Sequence, residues 1–168
     1  MSTVSWGGPK LQFIPIAAGA IPPAGSWSAV TGLVEIPADD LLQNSSQLNT
    51  TEGEVKELKN EFGVTVDRKQ MPASYVFTAG LIRKKGAAQK FSANNGIVPG
   101  DWAMRLIPED PQTIGFQFGK CGITIAKGWS GEQGMIDTLS VSGVEPNGSD
   151  KEICKEYSVA SSGSGSAS

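Results

Sequence analysis

Short apolar segments recur along the chain, and glycine, proline or small polar residues separate them. This pattern is typical of β-strands joined by turns. The predicted strands share apolar or alternating character and cover residues 11–16, 33–36, 74–84, 100–107 and 135–144, with further alternation at Phe116 and Phe118 and at Ile123 and Ile125. We therefore expect a mainly β fold, a β-sandwich or barrel of short antiparallel strands with one short flanking helix.

Pro15 and Gly80 interrupt two of these strands. Proline cannot donate a hydrogen bond to a ladder, so Pro15 places the first strand at an edge or a bend. Gly80 indicates a bulge or the close approach of another segment, because glycine leaves room for one.

Residues 52–62 allow two interpretations. Apolar residues at helical spacing, with a possible capping box before them and a glycine after them, favour a short helix. The alternative is a hairpin with strands at 53–59 and 63–70 and a turn near Asn60. The β-branched residues of the second segment favour a strand there.

Three segments lie outside these elements. Residues 17–28 are rich in Ala, Gly and Pro and predict an extended connection. Residues 37–52 are polar and predict a long loop, which in a compact domain is usually functional or mobile. Residues 86–95 carry good helix formers and predict the short flanking helix.

The 168 residues suffice for one domain with a real core. We expect a single β domain over residues 1–160, in which residues 1–30 form an N-terminal arm and the first strand. Residues 161–168 contain only serine, glycine and alanine, so they predict a flexible tail.

The composition excludes several kinds of function. The net charge is -3, from 14 basic and 17 acidic residues, too balanced for a protein that wraps nucleic acid. The chain contains no histidine, which removes Ser-His-Asp and Cys-His catalysis and histidine metal ligation. Cys121 and Cys154 have no zinc-binding spacing. They could form one disulfide, which their spacing does not establish, or stay free buried thiols, the interpretation that we prefer. We therefore predict no catalytic, cofactor or metal site.

The residues that could carry chemistry have simpler structural explanations. Adjacent carboxylates at Asp39–Asp40 and Glu109–Asp110 do not face one another as a glycosidase pair would. The segment 128–131 lacks the spacing of a nucleophile elbow and predicts a glycine-rich turn with an aromatic anchor. The dense basic residues, which could touch phosphates or an acidic neighbour, are Arg83, Lys84, Lys85 and Lys90. The tryptophans, predicted as core or interface anchors, are Trp6, Trp27, Trp102 and Trp129.

Residues 30–146 resemble the tail-tube (major tail) proteins of long-tailed phages and related contractile injection systems. The charged segment from Thr51 to Lys69, followed by the apolar strand 75–83, resembles the family's hairpin and the strand after it. The glycine-punctuated segment 122–144 is similar to the family's closing strands. Between the two, residues 86–95 followed by residues 100–106 resemble the family's order of a helix and then a strand. This resemblance favours the hairpin over the helix at 52–62.

The resemblance implies a β-sandwich whose copies close hexameric rings by joining their inner sheets, with the rings stacked into a tube. It implies a virion protein of the tail, present in the host cytoplasm during assembly. Its partners would be further copies of itself, the tape measure, the tail tip or baseplate, the terminator and, where the tail is contractile, a sheath. DNA would pass without specific binding, and no membrane partner is expected.

The resemblance also suggests roles for particular segments. The loop at 37–52 and the N-terminal arm would bridge stacked rings. The acidic side chains that could face the lumen are Glu54, Glu57, Glu61 and Asp67. Two alternatives stay open, a capsid decoration or immunoglobulin-like binding module and an enzyme that uses carboxylates or a cysteine.

Overall fold

The computed structural model describes residues 8–23, 25–43, 45–87, 89–110 and 112–158. The described residues form ten β-strands and two single 3-10 turns. The strands, in chain order, are β1 (Lys10–Ile16), β2 (Val34–Ile36), β3 (Gln47–Thr51), β4 (Val55–Lys59), β5 (Thr65–Gln70), β6 (Ser74–Ile82), β7 (Asp101–Ile107), β8 (Gly115–Ser130), β9 (Gly134–Gly143) and β10 (Cys154–Tyr157). The 3-10 turns are Trp27–Ala29 and Ala38–Asp40. All strand pairs are antiparallel, which confirms the mainly β prediction.

Strand β8 divides the main sheet into two halves. The sheet follows the order β2-β1-β7-β8-β9-β6-β3, and β10 also pairs with β8. The first part of β8, up to Cys121, lies between β7 and β10, whereas Cys121–Ser130 pairs with β9. We call β2, β1, β7, β10 and the first part of β8 the five-stranded half. The four-stranded half consists of the rest of β8 with β9, β6 and β3.

The core lies between the two halves, so the sheet folds over on itself as a sandwich. Phe77 on β6 contacts Phe116 on the first part of β8, with ring centroids 5.4 Å apart. Phe118, Leu139 and Val141 are fully or almost fully buried in the same cluster. A strand that bends from one sheet into the next is a known way to close such a sandwich.

The outer face of the five-stranded half is covered by the chain itself. Trp27 is buried against Ile14 and Ala103, and its Nε1 donates to the Pro23 carbonyl oxygen at 3.0 Å. The Arg105 guanidinium lies between the rings of Trp27 and Tyr157, at 4.1 and 4.3 Å from their centroids. This arrangement ties the connection after β1 and strand β10 to the same sheet face.

Arg105 also donates one hydrogen bond from each of its three side-chain nitrogens. It donates to Gln117 Oε1 and to the Gly25 carbonyl oxygen, at 2.9 to 3.2 Å. Burial lowers the pKa of Arg105, and the nearby Tyr157 hydroxyl opposes that shift. A buried arginine that stacks between two rings and donates from all three side-chain nitrogens is a structural clamp.

Strands β4 and β5 form a separate two-stranded sheet, which we call the β4–β5 hairpin. Every residue of both strands is exposed. This confirms the hairpin prediction at 52–70 against the helical spacing of its apolar residues. A helix does not form because the β-branched residues of the second segment favour an extended strand, which pairs with the first segment.

Two predictions about local structure were wrong. The described part of 86–95 contains no helix; instead Phe91 inserts into the core, 5.0 Å from Phe13 and 5.4 Å from Trp102 between ring centroids. The buried Phe91 ring fixes this segment in an irregular conformation instead of a helix. The predicted loop at 37–52 ends early, because residues 47–51 form β3.

Other predictions about local structure are confirmed. Pro15 lies beyond the part of β1 that pairs with β2, so its missing N–H faces no partner strand there. Leu42 passes close to Gly80, where a Cβ atom would lie 3.1 Å from the Leu42 Cβ. The two segments predicted around Phe116 and Ile123 are one continuous strand, β8, of 16 residues.

Strand β10 was not predicted, because its four residues are mostly polar.

No helix in the described residues has the length and apolar character needed to cross a membrane. The N-terminal arm before residue 8, Trp6 and the tail at 161–168 lie outside the described residues.

Candidate functional site

The outer face of the four-stranded half is uncharged over most of its area. No acidic or basic side chain lies on this face of β8 from Gly122 to Gly128, or at the positions of β9, β6 and β3 that are paired with that segment. The strand registers align its rows, for example Gln47, Thr78, Ser140 and Thr124. The residues of this neutral face are Gln47, Asn49, Thr51, Ser74, Val76, Thr78, Gly122, Thr124, Ala126, Thr138, Ser140 and Ser142. Most of them are exposed. The neutral face is therefore small, hydroxyl-rich and uncharged, although charged residues make up 18% of the chain.

Each side of the four-stranded half ends in an unpaired strand edge. Within the described residues, no strand pairs with the outer edge of β3. On the other side, the backbone at 96–98 bonds β8 only at Ile123 and Ile125. Beyond Ile125, no described segment bonds to the β8 edge that faces away from β9. Unpaired edges are templates for pairing with another chain.

A groove of about 890 Å³ opens between the two halves, beside β3, and its lining is mixed: Gln43, Ser46, Glu109 and Thr113 contribute polar groups beside the apolar side chains. Its walls include Leu48 of β3, Phe77 of β6 and Phe116 of β8. Leu106, Leu41 and the exposed Ile114 extend the same apolar surface. The groove therefore lies next to one of the two free strand edges.

The β4–β5 hairpin ends in a tightly bonded turn. Asn60 Oδ1 accepts hydrogen bonds from the backbone N–H groups of Phe62 and Val64, each at 3.0 Å. Gly63 adopts a left-handed conformation with φ of 79°. This turn holds Phe62 outward, with 91% of its surface exposed. A large ring in that position is suited to contact another molecule.

The base of the hairpin is fixed by Gly53. A Cβ atom there would overlap the backbone carbonyl oxygens of Met71 and Pro72. The Met71 N–H donates to the Glu54 carbonyl oxygen at 2.9 Å and closes the base. Close packing of two backbones sets the direction in which the hairpin leaves the sandwich.

The four predicted lumenal acids all lie on or next to the β4–β5 hairpin. Glu57 is on β4 opposite Arg68, and Asp67 is on β5 opposite Leu58. Glu54 precedes β4 and Glu61 lies in the turn. All four acids therefore belong to the projecting hairpin and none lies on the neutral face, but Glu57 and Asp67 point to opposite faces of the hairpin, because successive residues of a strand alternate.

The tryptophans within the described residues occupy three different environments. Trp27 is buried, and Trp102 is half-buried with its Nε1 donating to the Pro99 carbonyl oxygen at 3.1 Å. Trp129 lies near the tip of the β8–β9 hairpin and is 75% exposed. Its neighbour Ser130 accepts a hydrogen bond from the Gln133 N–H at 3.0 Å, which stabilises the predicted turn. Trp129 is thus presented to solvent by an ordered turn.

Three of the four adjacent carboxylates make contacts within the chain. Asp40 forms ion pairs with Lys84 at 3.1 Å and Lys90 at 3.4 Å. Burial raises the pKa of Asp40, but hydrogen bonds from the two lysines outweigh burial, so the net pKa is lowered. Glu109 accepts a hydrogen bond from the Gly8 N–H at 2.7 Å, and Asp110 Oδ1 accepts one from the Gln112 N–H at 2.9 Å.

The basic patch is largely neutralised within the chain. Arg83 lies 3.5 Å from the buried carboxylate of Asp137, and Lys84 and Lys90 pair with Asp40. Together these groups border a small cavity of about 50 Å³. Paired side chains of this kind stabilise the loop around Phe91 and have less charge available for a phosphate.

Both cysteines are free thiols within the described residues. Cys121 is buried and donates from Sγ to the Trp102 carbonyl oxygen at 3.2 Å. Burial raises the pKa of both Cys121 and the half-buried Cys154. Cys154 pairs with Phe118, three positions along β8 from Cys121, or about 10 Å at the rise of a strand. That separation is too long for a disulfide, and neutral thiols are poor nucleophiles.

The described residues contain no cluster of three or more potential metal ligands. No protein-family model matches the chain, and no curated protein matches it. Sequence reasoning missed the neutral face and the two edges, because both depend on the pairing of strands distant in sequence.

Proposed function

We propose that this chain is a structural, non-enzymatic subunit that joins further copies of itself into rings and then into a hollow tube, as phage tail-tube proteins do. The observation that carries the proposal is the four-stranded half, with a free edge on each side and an uncharged outer face. Its location would be the virion tail, and the host cytoplasm during assembly.

Strand directions make such a ring possible. The order β8-β9-β6-β3 is antiparallel throughout, so β3 runs opposite to β8. Because the number of strands is even, β3 of one copy meets β8 of the next in antiparallel orientation. Repeating the step around a ring gives one continuous antiparallel barrel and leaves no edge of this half unpaired.

In this barrel, the neutral face would line the lumen. The opposite face of the same half packs on the core and cannot face the lumen. Proteins hold DNA mainly through lysine and arginine contacts to phosphates. A lining of hydroxyl, amide and glycine groups therefore suits passage of DNA without strong attraction or repulsion.

The β4–β5 hairpin would provide a further contact between copies. Isolated two-stranded hairpins are marginally stable in water. This one exposes Leu58, Val64 and Val66 as well as Phe62. An ordered but unsupported hairpin with apolar side chains is best explained by burial against a neighbouring subunit in the same ring or in the next one.

Electron microscopy of the purified protein at high concentration, with light-scattering mass measurement, tests the proposal. Rings or hollow tubes are the expected result. A purified tail-tip complex should be added as an initiator if the protein alone stays monomeric. A monomer in both conditions contradicts the proposed function and favours a decoration or surface-binding module.

A further inference from the structure

The two free edges of the four-stranded half lie at different heights. Through Val76 and Ser142, the registers place Asn49 of β3 level with Gly122 of β8. The free edge of β8 begins only after Ile125 and is centred near Gly128. From Gly122 to Gly128 is six positions, or about 20 Å at the rise of a strand.

This stagger matches the geometry of a closed barrel. Four strands span about 19 Å across the sheet at the usual strand spacing. A displacement of about 20 Å over that width corresponds to a tilt of about 45°, at the upper end of the usual range for barrel strands. With the neutral face inside, the displacement also gives a right-handed coil, the sense expected from the twist of β-strands.

The backbone groups at the two edges are complementary in number. On β8, Ile123 and Ile125 bond to 96–98, so Lys127 and Trp129 direct their unpaired groups to the same side. On β3, the unpaired groups are those of Leu48 and Thr50. The backbone groups of their neighbours Gln47, Asn49 and Thr51 point toward β6. On β6, the Gly80 carbonyl oxygen points to this same side, where it accepts a hydrogen bond from the Leu42 N–H.

We infer that β3 of one copy pairs with residues 126–130 of β8 in the next copy, with Asn49 opposite Gly128, and that Trp129 enters the groove on its apolar side, beside Leu48. This inference rests on the proposed function and specifies its ring contact. An antiparallel ladder in this register pairs Thr50 with Lys127 and Leu48 with Trp129. It uses all four unpaired residues and leaves none on either edge.

The side chains support the same register independently. Leu48 and Trp129 both lie on the face opposite the neutral face. Opposite Leu48, the indole ring would therefore lie at the mouth of the groove lined by Phe77 and Phe116. The pairing accounts for an exposed tryptophan on one edge and, on the other, for a groove that the described residues leave open.

A disulfide trap tests the register. Asn49 and Gly128 would form a non-hydrogen-bonded pair, whose Cα atoms lie about 4.5 Å apart and fit a disulfide. The variant Asn49→Cys/Gly128→Cys, made with Cys154→Ser to remove the half-exposed thiol, should form a ladder of covalent multimers after assembly and mild oxidation. Cys121 is buried and can stay.

The matched control is Asn49→Cys/Gly122→Cys in the same background. It tests a junction without stagger, and a Cβ atom at Gly122 meets open space. Little or no cross-linking is expected. Tubes that cross-link through position 122, or through neither position, overturn the inferred register and leave the proposed function intact. Absence of any assembled species overturns the proposed function and this contact with it.

Removal of the tryptophan gives a second measurement that needs no cysteine. Trp129→Ala should raise the concentration needed for assembly by roughly thirty-fold, as for a central aromatic anchor in an interface. Ile21→Ala is the control, because Ile21 is similarly exposed but lies on neither edge. Equal assembly by the two variants contradicts the insertion of Trp129 into the groove.

Discussion

The outer faces of the two halves differ in how they are completed. On the five-stranded half, the row Glu35, Gln12, Arg105, Gln117 and Lys155 is polar and charged. The chain itself covers the centre of that face with Trp27 and Tyr157. On the four-stranded half, the neutral face is bare and uncharged. The two halves thus differ in that the described residues cover the outer face of one and leave the outer face of the other open to solvent.

The largest expected effect comes from breaking the covered face. Arg105→Ala removes the cation between two rings and its hydrogen bonds to Gln117 and Gly25. Stacking and charged hydrogen bonds of this kind lead us to expect a loss of about 3 kcal/mol in the free energy of unfolding. Urea denaturation of the subunit measures it.

Arg105→Lys is the control for charge alone. Lysine keeps the charge but cannot stack as a plane or donate as a fork. It should recover only part of the loss. Recovery to the wild-type value would show that the planar clamp is not what holds this face together.

The second effect concerns the β4–β5 hairpin. Gly53→Ala should displace the hairpin at its base, because the new Cβ atom would overlap backbone carbonyl oxygens. The sandwich does not depend on the hairpin, so we expect a subunit within about 1 kcal/mol of wild-type stability that assembles poorly. Thermal unfolding and electron microscopy separate the two results.

Gly122→Ala is the control for that substitution, since its Cβ atom would meet open space on the neutral face. It should assemble as wild type. Normal tubes from Gly53→Ala would mean that the hairpin direction does not matter for assembly.

The third prediction concerns added positive charge on the neutral face. Thr124→Lys/Thr138→Lys places two cations on the neutral face, where both threonines are exposed. Assembled tubes should then bind double-stranded DNA at least about tenfold more tightly at low salt, and raised salt should abolish the gain. Binding of fluorescent DNA to tubes measures the effect.

Glu57→Lys is matched to the double variant, because it also raises the net charge by two, but on the hairpin. Much weaker DNA binding is expected from it. Tighter DNA binding by Glu57→Lys than by Thr124→Lys/Thr138→Lys would indicate that the hairpin acids, and not the neutral face, line the lumen.

The smallest effect is a pH dependence at the edge of the core. The folded-state pKa of Asp40 is lowered, so its contribution to stability is present above the ordinary aspartate pKa of 3.8 and disappears as the pH falls through the lower folded value. Asp40→Asn should therefore lower stability by less than about 1 kcal/mol at pH 7 and by nothing below that window, since both lysines are partly exposed. A difference that grows on acidification would contradict this sign.

The sequence predicted most strands because their apolar residues are continuous or alternate, as in β6 and β9. It did not predict β3, in which a single leucine lies among polar residues. It predicted a helix at 86–95 from local propensity, whereas burial of Phe91 decides the structure there. The neutral face has no local signal, because its rows combine residues far apart in the chain, such as Gln47 and Ser140.

Cryo-electron microscopy with helical reconstruction of the assembled protein tests the central claim most directly. The account predicts a hollow tube whose wall is a continuous β-barrel, with Thr124, Thr138 and Ser142 facing the lumen and β3 paired to β8 of the next copy. A lumen lined by the β4–β5 hairpin or by the Arg105 face would contradict it, as would an assembly in which the edges of the four-stranded half remain apart.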